Sequence, residues 1–92
     1  MSLEFEWDDA KAAENIRKHG VDFAEAVVAF RHVFAIDYFD DLEYGERRFI
    51  HIGLSGDKVL TIIYTERADR IRIISARRSK HEEEDYNSQI PP

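Results

Sequence analysis

Hydrophobic spacing changes character near Arg31. Before it, apolar residues recur at helical intervals, first Ala12, Ala13 and Ile16, then Phe23, Ala26, Val27 and Phe30. Asp8 offers a side-chain acceptor to the free N–H groups of a helix start, and Gly20 can take the left-handed conformation that ends helices, so a helix is predicted through about His19. Asp22-Phe23-Ala24-Glu25 has capping-box spacing and predicts a second helix over 22–31. Phe5–Trp7 reads as a short strand. Beyond Arg31 the helical period is lost, and β-branched and aromatic residues predict strands at Val33–Tyr38, Arg47–Leu54, Val59–Glu66 and Arg70–Ala76. Ser55-Gly56-Asp57 and Arg67-Ala68-Asp69 join the last three by connections too short for a parallel crossover, which makes them an antiparallel meander. Ser79-Lys80-His81-Glu82 is a further capping box, opening a short helix to about Asn87 with an acidic first turn. The order β-α-α-β-β-β-β-α describes an α+β fold, two N-terminal helices and a short C-terminal helix packed on a mostly antiparallel β-sheet.

Length and composition narrow the picture. A chain of 92 residues, 43% of them apolar, makes a single domain over 1–92 with enough material for a core. Cysteine is absent, which excludes disulfides, thiolate metal sites and a cysteine nucleophile. The apolar runs Val27–Phe30 and Leu60–Tyr64 are too short to span a bilayer, and Met1-Ser2-Leu3-Glu4 carries no signal-peptide pattern, so the expected location is cytoplasmic with no membrane partner. Net charge is −6, which taken as a whole argues against a nucleic-acid partner. Position reverses that reading: Glu66 to Lys80 holds six of the thirteen basic residues, against only Glu66 and Asp69.

Metal and cofactor sites find no support. His19, His32, His51 and His81 are scattered, with no paired-ligand spacing. The tract Asp37, Asp40, Asp41, Glu43 and Glu46 lacks the ligand pattern of a calcium loop and reads as a solvated loop. Strand alternation places Arg70 and Arg72 on one face, Ile71 and Ile73 on the other, and Arg77 on the isoleucine side unless a bulge intervenes. Two guanidinium groups side by side make a receptor for phosphate oxygens. Alternatively these arginines pair with Glu66, Asp69 and the acidic tract, or protect an edge strand. Lys11, Asn15 and Lys18 form a polar stripe on the first helix. Trp7 is either a core anchor or a base-stacking platform.

Three ordered segments resemble the BrnT family of ribonuclease toxins of type II toxin–antitoxin pairs. They are Phe5-Glu6-Trp7-Asp8 with Lys11, Asn15 and Lys18-His19-Gly20-Val21; Glu46-Arg47-Arg48-Phe49-Ile50 with Ile52-Gly53-Leu54-Ser55; and Tyr64-Thr65-Glu66-Arg67 with Arg70 to Arg77. The chain departs from the family at Asp9, where many relatives carry proline, and at Lys80–Tyr86, acidic where relatives tend to be basic. The resemblance implies a RelE-like fold and a metal-independent endoribonuclease without cofactor that arrests growth. It also implies neutralisation by a BrnA-like antitoxin, DNA being reached only through that antitoxin. It raises Glu66, Arg67, Arg70, Arg72 and Lys11 to catalytic candidates, with Glu66 as base and Arg70 and Arg72 as phosphate clamp. Trp7, Lys18, His19, Arg77 and Tyr86 become substrate-binding candidates, His19 or Tyr86 serving as proton donor. A toxin-like scaffold that only binds an antitoxin is the alternative, and homodimerisation through a sheet edge is left open.

Overall fold

A computed structural model describes residues 4–31, 36–43 and 46–79. The predicted helix at 79–87, and with it Tyr86, lies outside the described residues. The chain runs β1 (Glu4–Glu6), α1 (Asp9–His19), α2 (Phe23–Phe30), β2 (Ile36–Glu43), β3 (Glu46–Ser55), β4 (Lys58–Arg67) and β5 (Arg70–Arg78). The sheet has the order β1-β5-β4-β3-β2. β1 is parallel to β5 and every other pairing is antiparallel. The α+β class and the meander therefore follow the sequence pattern.

Local chemistry explains the helix boundaries. The Asp8 carboxylate accepts from the Lys11 N–H at 3.1 Å, and Gly20 ends α1 at φ 69° with its N–H bonded to the Ile16 carbonyl. Asp22 and Glu25 close the predicted capping box around the start of α2. α2 buries Phe23, Ala26 and Ala29 against Leu60, Ile62, Ile73 and Ala76 of the sheet, with Val21 completing the cluster. Burial of a side chain such as Phe23 stabilises by about 1.5–3 kcal/mol. Beneath α2, His51 stacks on Phe30 at 4.1 Å and its Nε2–H donates to the Ala29 carbonyl at 3.0 Å.

Three expectations need correction. β2 (Ile36–Glu43) runs past the predicted end at Tyr38, while the predicted start at 33–35 lies outside the described residues, so most of the acidic tract read as a solvated loop is strand. β2 is the last strand of the sheet, where charged residues blunt an edge, and its register shifts between Phe39 and Leu42. A charge run at an edge carries no alternation to reveal it. Second, a bulge does intervene in β5: Ile63 pairs with Ser75 and Tyr64 with Ile73, leaving Ile74 as the extra residue. Ile73 and Ala76 consequently both face the core despite their odd spacing, and Arg77, opposite Thr61, joins Arg72, opposite Thr65, on the other face. Third, Ala12, Ala13 and Ile16 do not form the buried side of α1. Ala12 packs on the core, Ala13 is exposed and Ile16 is 47% exposed, whereas Asn15, assigned to the polar stripe, is the buried residue of the helix.

Candidate functional site

β1 pairs with β5 only from Arg70 to Arg72, and further along the same edge α1 lies beside the strand instead. Asn15 makes that contact. Its amide nitrogen donates to the Ala76 carbonyl at 2.8 Å and to the Val21 carbonyl at 2.9 Å, while its oxygen accepts from the Ala76 N–H at 3.2 Å. A groove follows, formed by two adjoining depressions. One, of about 160 Å³, is lined by Lys11, Glu14, Asn15, Lys18, His19, Ile74 and Ser75. The other, of about 300 Å³, is lined by Lys18, His19, Arg77 and Arg78.

Four permanent cations line this groove, Lys11, Lys18, Arg77 and Arg78, against one carboxylate, Glu14. Lys18 Nζ lies 3.0 Å from Glu14 Oε1, and Arg17 approaches the same oxygen at 3.7 Å. The hydrogen bond from Lys18, followed by its charge and that of Arg17, holds the Glu14 carboxyl below the ordinary glutamate value. Arg77 donates to the Arg78 carbonyl at 3.3 Å. Among the described residues, Lys11 and His19 have no carboxylate partner, and His19 sits exposed at the end of α1. The groove thus offers positive charge of the kind that binds phosphate oxygens, with an imidazole beside it.

The remaining candidates stand elsewhere. Arg70 lies 3.4 Å from Glu4 and 3.8 Å from Glu6, and Arg72 Nη1 donates to Glu6 Oε2 at 2.7 Å. These arginines clasp β1 to β5, using different acids from Glu66 and Asp69. Glu66 is paired with Ile71, whereas Arg67 is paired with Arg70 and Thr65 with Arg72, so Glu66 occupies the opposite face from the arginines it was expected to serve. Six residues also separate Ile71 from Arg77, roughly 20 Å along a strand, which keeps Glu66 out of the groove. Trp7 is half-buried, edge-on to Phe23 at 5.8 Å, and packs on the core. The structure therefore gathers Lys11, Lys18, His19 and Arg77 and keeps Glu66, Arg67, Arg70, Arg72 and Trp7 apart from them.

Sequence reasoning overlooked Arg78 and the burial of Asn15. Arg78 had the signal of adjacency to Arg77, but its place depends on the Ile74 bulge. Among the described residues, no three His, Asp or Glu side chains gather as a metal-ligand set, and no helix is long and apolar enough to cross a membrane. No curated protein matches the chain. A family model described as "Ribonuclease toxin, BrnT, of type II toxin-antitoxin system" matches residues 7–83.

Proposed function

Since the chain belongs to the BrnT family of ribonuclease toxins of type II toxin–antitoxin systems, with an antitoxin protein as its implied partner, we propose that the groove between α1 and β5 is where it holds and cuts RNA. The supporting observation is that a chain of net charge −6 concentrates Lys11, Lys18, Arg77 and Arg78 around one groove with His19 beside them.

The reaction is a metal-independent endonucleolytic transesterification. A ribose 2′-OH attacks the adjacent phosphorus, the 5′-oxygen leaves, and the chain ends in a 2′,3′-cyclic phosphate. Arg77 and Arg78 bind non-bridging oxygens, and Lys11 and Lys18 add charge that stabilises the phosphorane. His19, exposed beside the cations, exchanges the proton between attacking and leaving oxygens. Arg70 and Arg72 act from the clasp and Glu66 takes no part. On this reading the fold is RelE-like, the chain works in the cytoplasm to arrest translation and growth, and a BrnA-like DNA-binding antitoxin neutralises it. A homodimer would use β2, one of the two end strands of the sheet.

The test is cleavage of a short single-stranded RNA by purified protein in excess chelator. Wild type should cleave, and a K18A/R77A/R78A variant that remains folded should lose about a hundredfold in rate. Equal rates for the two proteins, or activity that requires added divalent ion, would overturn the proposal. The separation of Glu66 from Arg70 and Arg72 favours a second reading, an inactive scaffold that binds only its antitoxin. Wild type that binds the antitoxin but leaves RNA intact under all conditions would establish it.

A further inference from the structure

α1 is poorly equipped to dock by burial. Of its eleven residues Asn15 alone is buried, at 5% exposure, Ala12 is the only other one packed on the core, and Ile16 stands largely in solvent. A surface helix ordinarily presents an apolar stripe at least 100° wide, and this one does not. What fixes its position is a polar junction. The N–H and C=O of Ala76 point away from β4 along the edge that β1 leaves uncovered, and both are satisfied by the Asn15 amide. A primary amide presents the same donor and acceptor pair as a peptide unit, so Asn15 serves as a one-residue substitute for the missing neighbouring strand. Its second N–H ties the same point to the Val21 carbonyl just beyond the α1 C-cap.

Lys11 and Lys18 stand four residues before and three after Asn15, so their positions relative to Arg77 and Arg78 follow from where this junction holds the helix. We infer that Asn15 is a positioning residue: the three hydrogen bonds of its amide set the width of the cationic groove, and with it the number of RNA phosphates the α1 and β5 cations engage together. This rests on the groove being the RNA site.

The readout is the dissociation constant for a short single-stranded oligoribonucleotide across a salt series, whose logarithmic slope counts engaged phosphates at about 0.7 each and does not depend on the folded fraction. Asn15→Asp keeps the shape but turns a carboxylate toward two carbonyls. Asn15→Gln keeps every hydrogen-bonding group and displaces it by one methylene. Both should weaken binding about tenfold and reduce the slope by about 0.7, the contribution of one phosphate. If N15D fails to fold, N15Q decides. Wild-type hydrogen exchange provides a variant-free check, because the Ala76 amide should be as protected as the amides of the β4–β5 ladder. A folded variant with wild-type affinity and slope, or a freely exchanging Ala76 amide, would overturn the inference. R78A separates the two failures: if R78A weakens RNA binding and N15Q does not, only the role of Asn15 is wrong, whereas wild-type binding by R78A removes the groove itself.

Discussion

Replacing Gly53 with alanine tests the packing of α2 on the sheet. A Cβ added at Gly53 would sit 2.4 Å from the Ala29 carbonyl oxygen, 3.1 Å from its carbon and 3.1 Å from His51 Nε2. Ordinary contact begins near 3.4 Å, so α2 and β3 must separate locally by about 1 Å. Neither side yields easily, since Phe23, Ala26 and Ala29 are fully buried beneath the helix and the His51–Ala29 hydrogen bond lies in the same gap. Overpacking of this kind costs about 1–3 kcal/mol. Loss of the hydrogen bond adds about 0.5–1.5 kcal/mol. The better strand conformation of alanine returns about 0.5–1 kcal/mol. The balance is a destabilisation centred on about 2 kcal/mol, which in a domain of this size lowers the melting temperature by roughly 8–16 °C. Thermal unfolding followed by Trp7 emission and far-ultraviolet circular dichroism measures it directly. A G53A protein melting within about 3 °C of wild type would refute the close approach of Ala29 to β3.

Two further predictions concern charge. A double-mutant cycle on Glu6 and Arg72, using E6Q and R72A, should give a coupling of about 1–2 kcal/mol that weakens with salt, and R72A should leave the salt slope of RNA binding unchanged; a smaller slope in R72A would move Arg72 from the clasp to the RNA. The Glu25 carboxyl lies below the ordinary glutamate value because the Asp22 N–H and then Lys58 bond to its ionised form, Lys58 Nζ at 3.0 Å. Its folded pKa being the lower, its contribution to stability is present above the unfolded glutamate value, about 4.3, and disappears as pH falls through the folded value. Melting temperatures of wild type and E25Q should therefore converge as pH drops below 4 or so, and a gap that stays constant with pH would contradict this assignment.

The parts of the fold readable from sequence are those governed by neighbouring residues. Asp8, Gly20 and the Asp22–Glu25 pair act within one helical turn, and the turns at Gly56 and Ala68 fix antiparallel neighbours by shortness alone. The site was legible in composition and less so in arrangement. Lys11, Lys18, His19 and Arg77 do come together, but Arg77 reaches its face through one extra residue at Ile74, and no local propensity marks the point where a strand slips by one. Glu66 and Arg70 looked adjacent because three residues separate them in sequence. The hairpin between them puts Arg67, not Glu66, opposite Arg70. Asn15 illustrates the same limit. On a helical wheel it belongs with two lysines, and only the uncovered edge of a strand some sixty residues later makes it a core residue.

That distance has a consequence for the chain during its own synthesis. The Asn15–Ala76 junction spans 61 residues and the Glu6–Arg72 clasp 66. A ribosome adding roughly 5–20 residues per second needs about 3–13 s to travel from one partner to the other. During that interval α1 exists without the strand that completes its groove, so a nascent chain carries the cations but no assembled site. Contacts this remote in sequence also form late in folding, because the loop between them must close first. Whatever chemistry the groove performs is therefore withheld from the ribosome that makes it until β5 has emerged, and a product truncated before Ala76 would be inert.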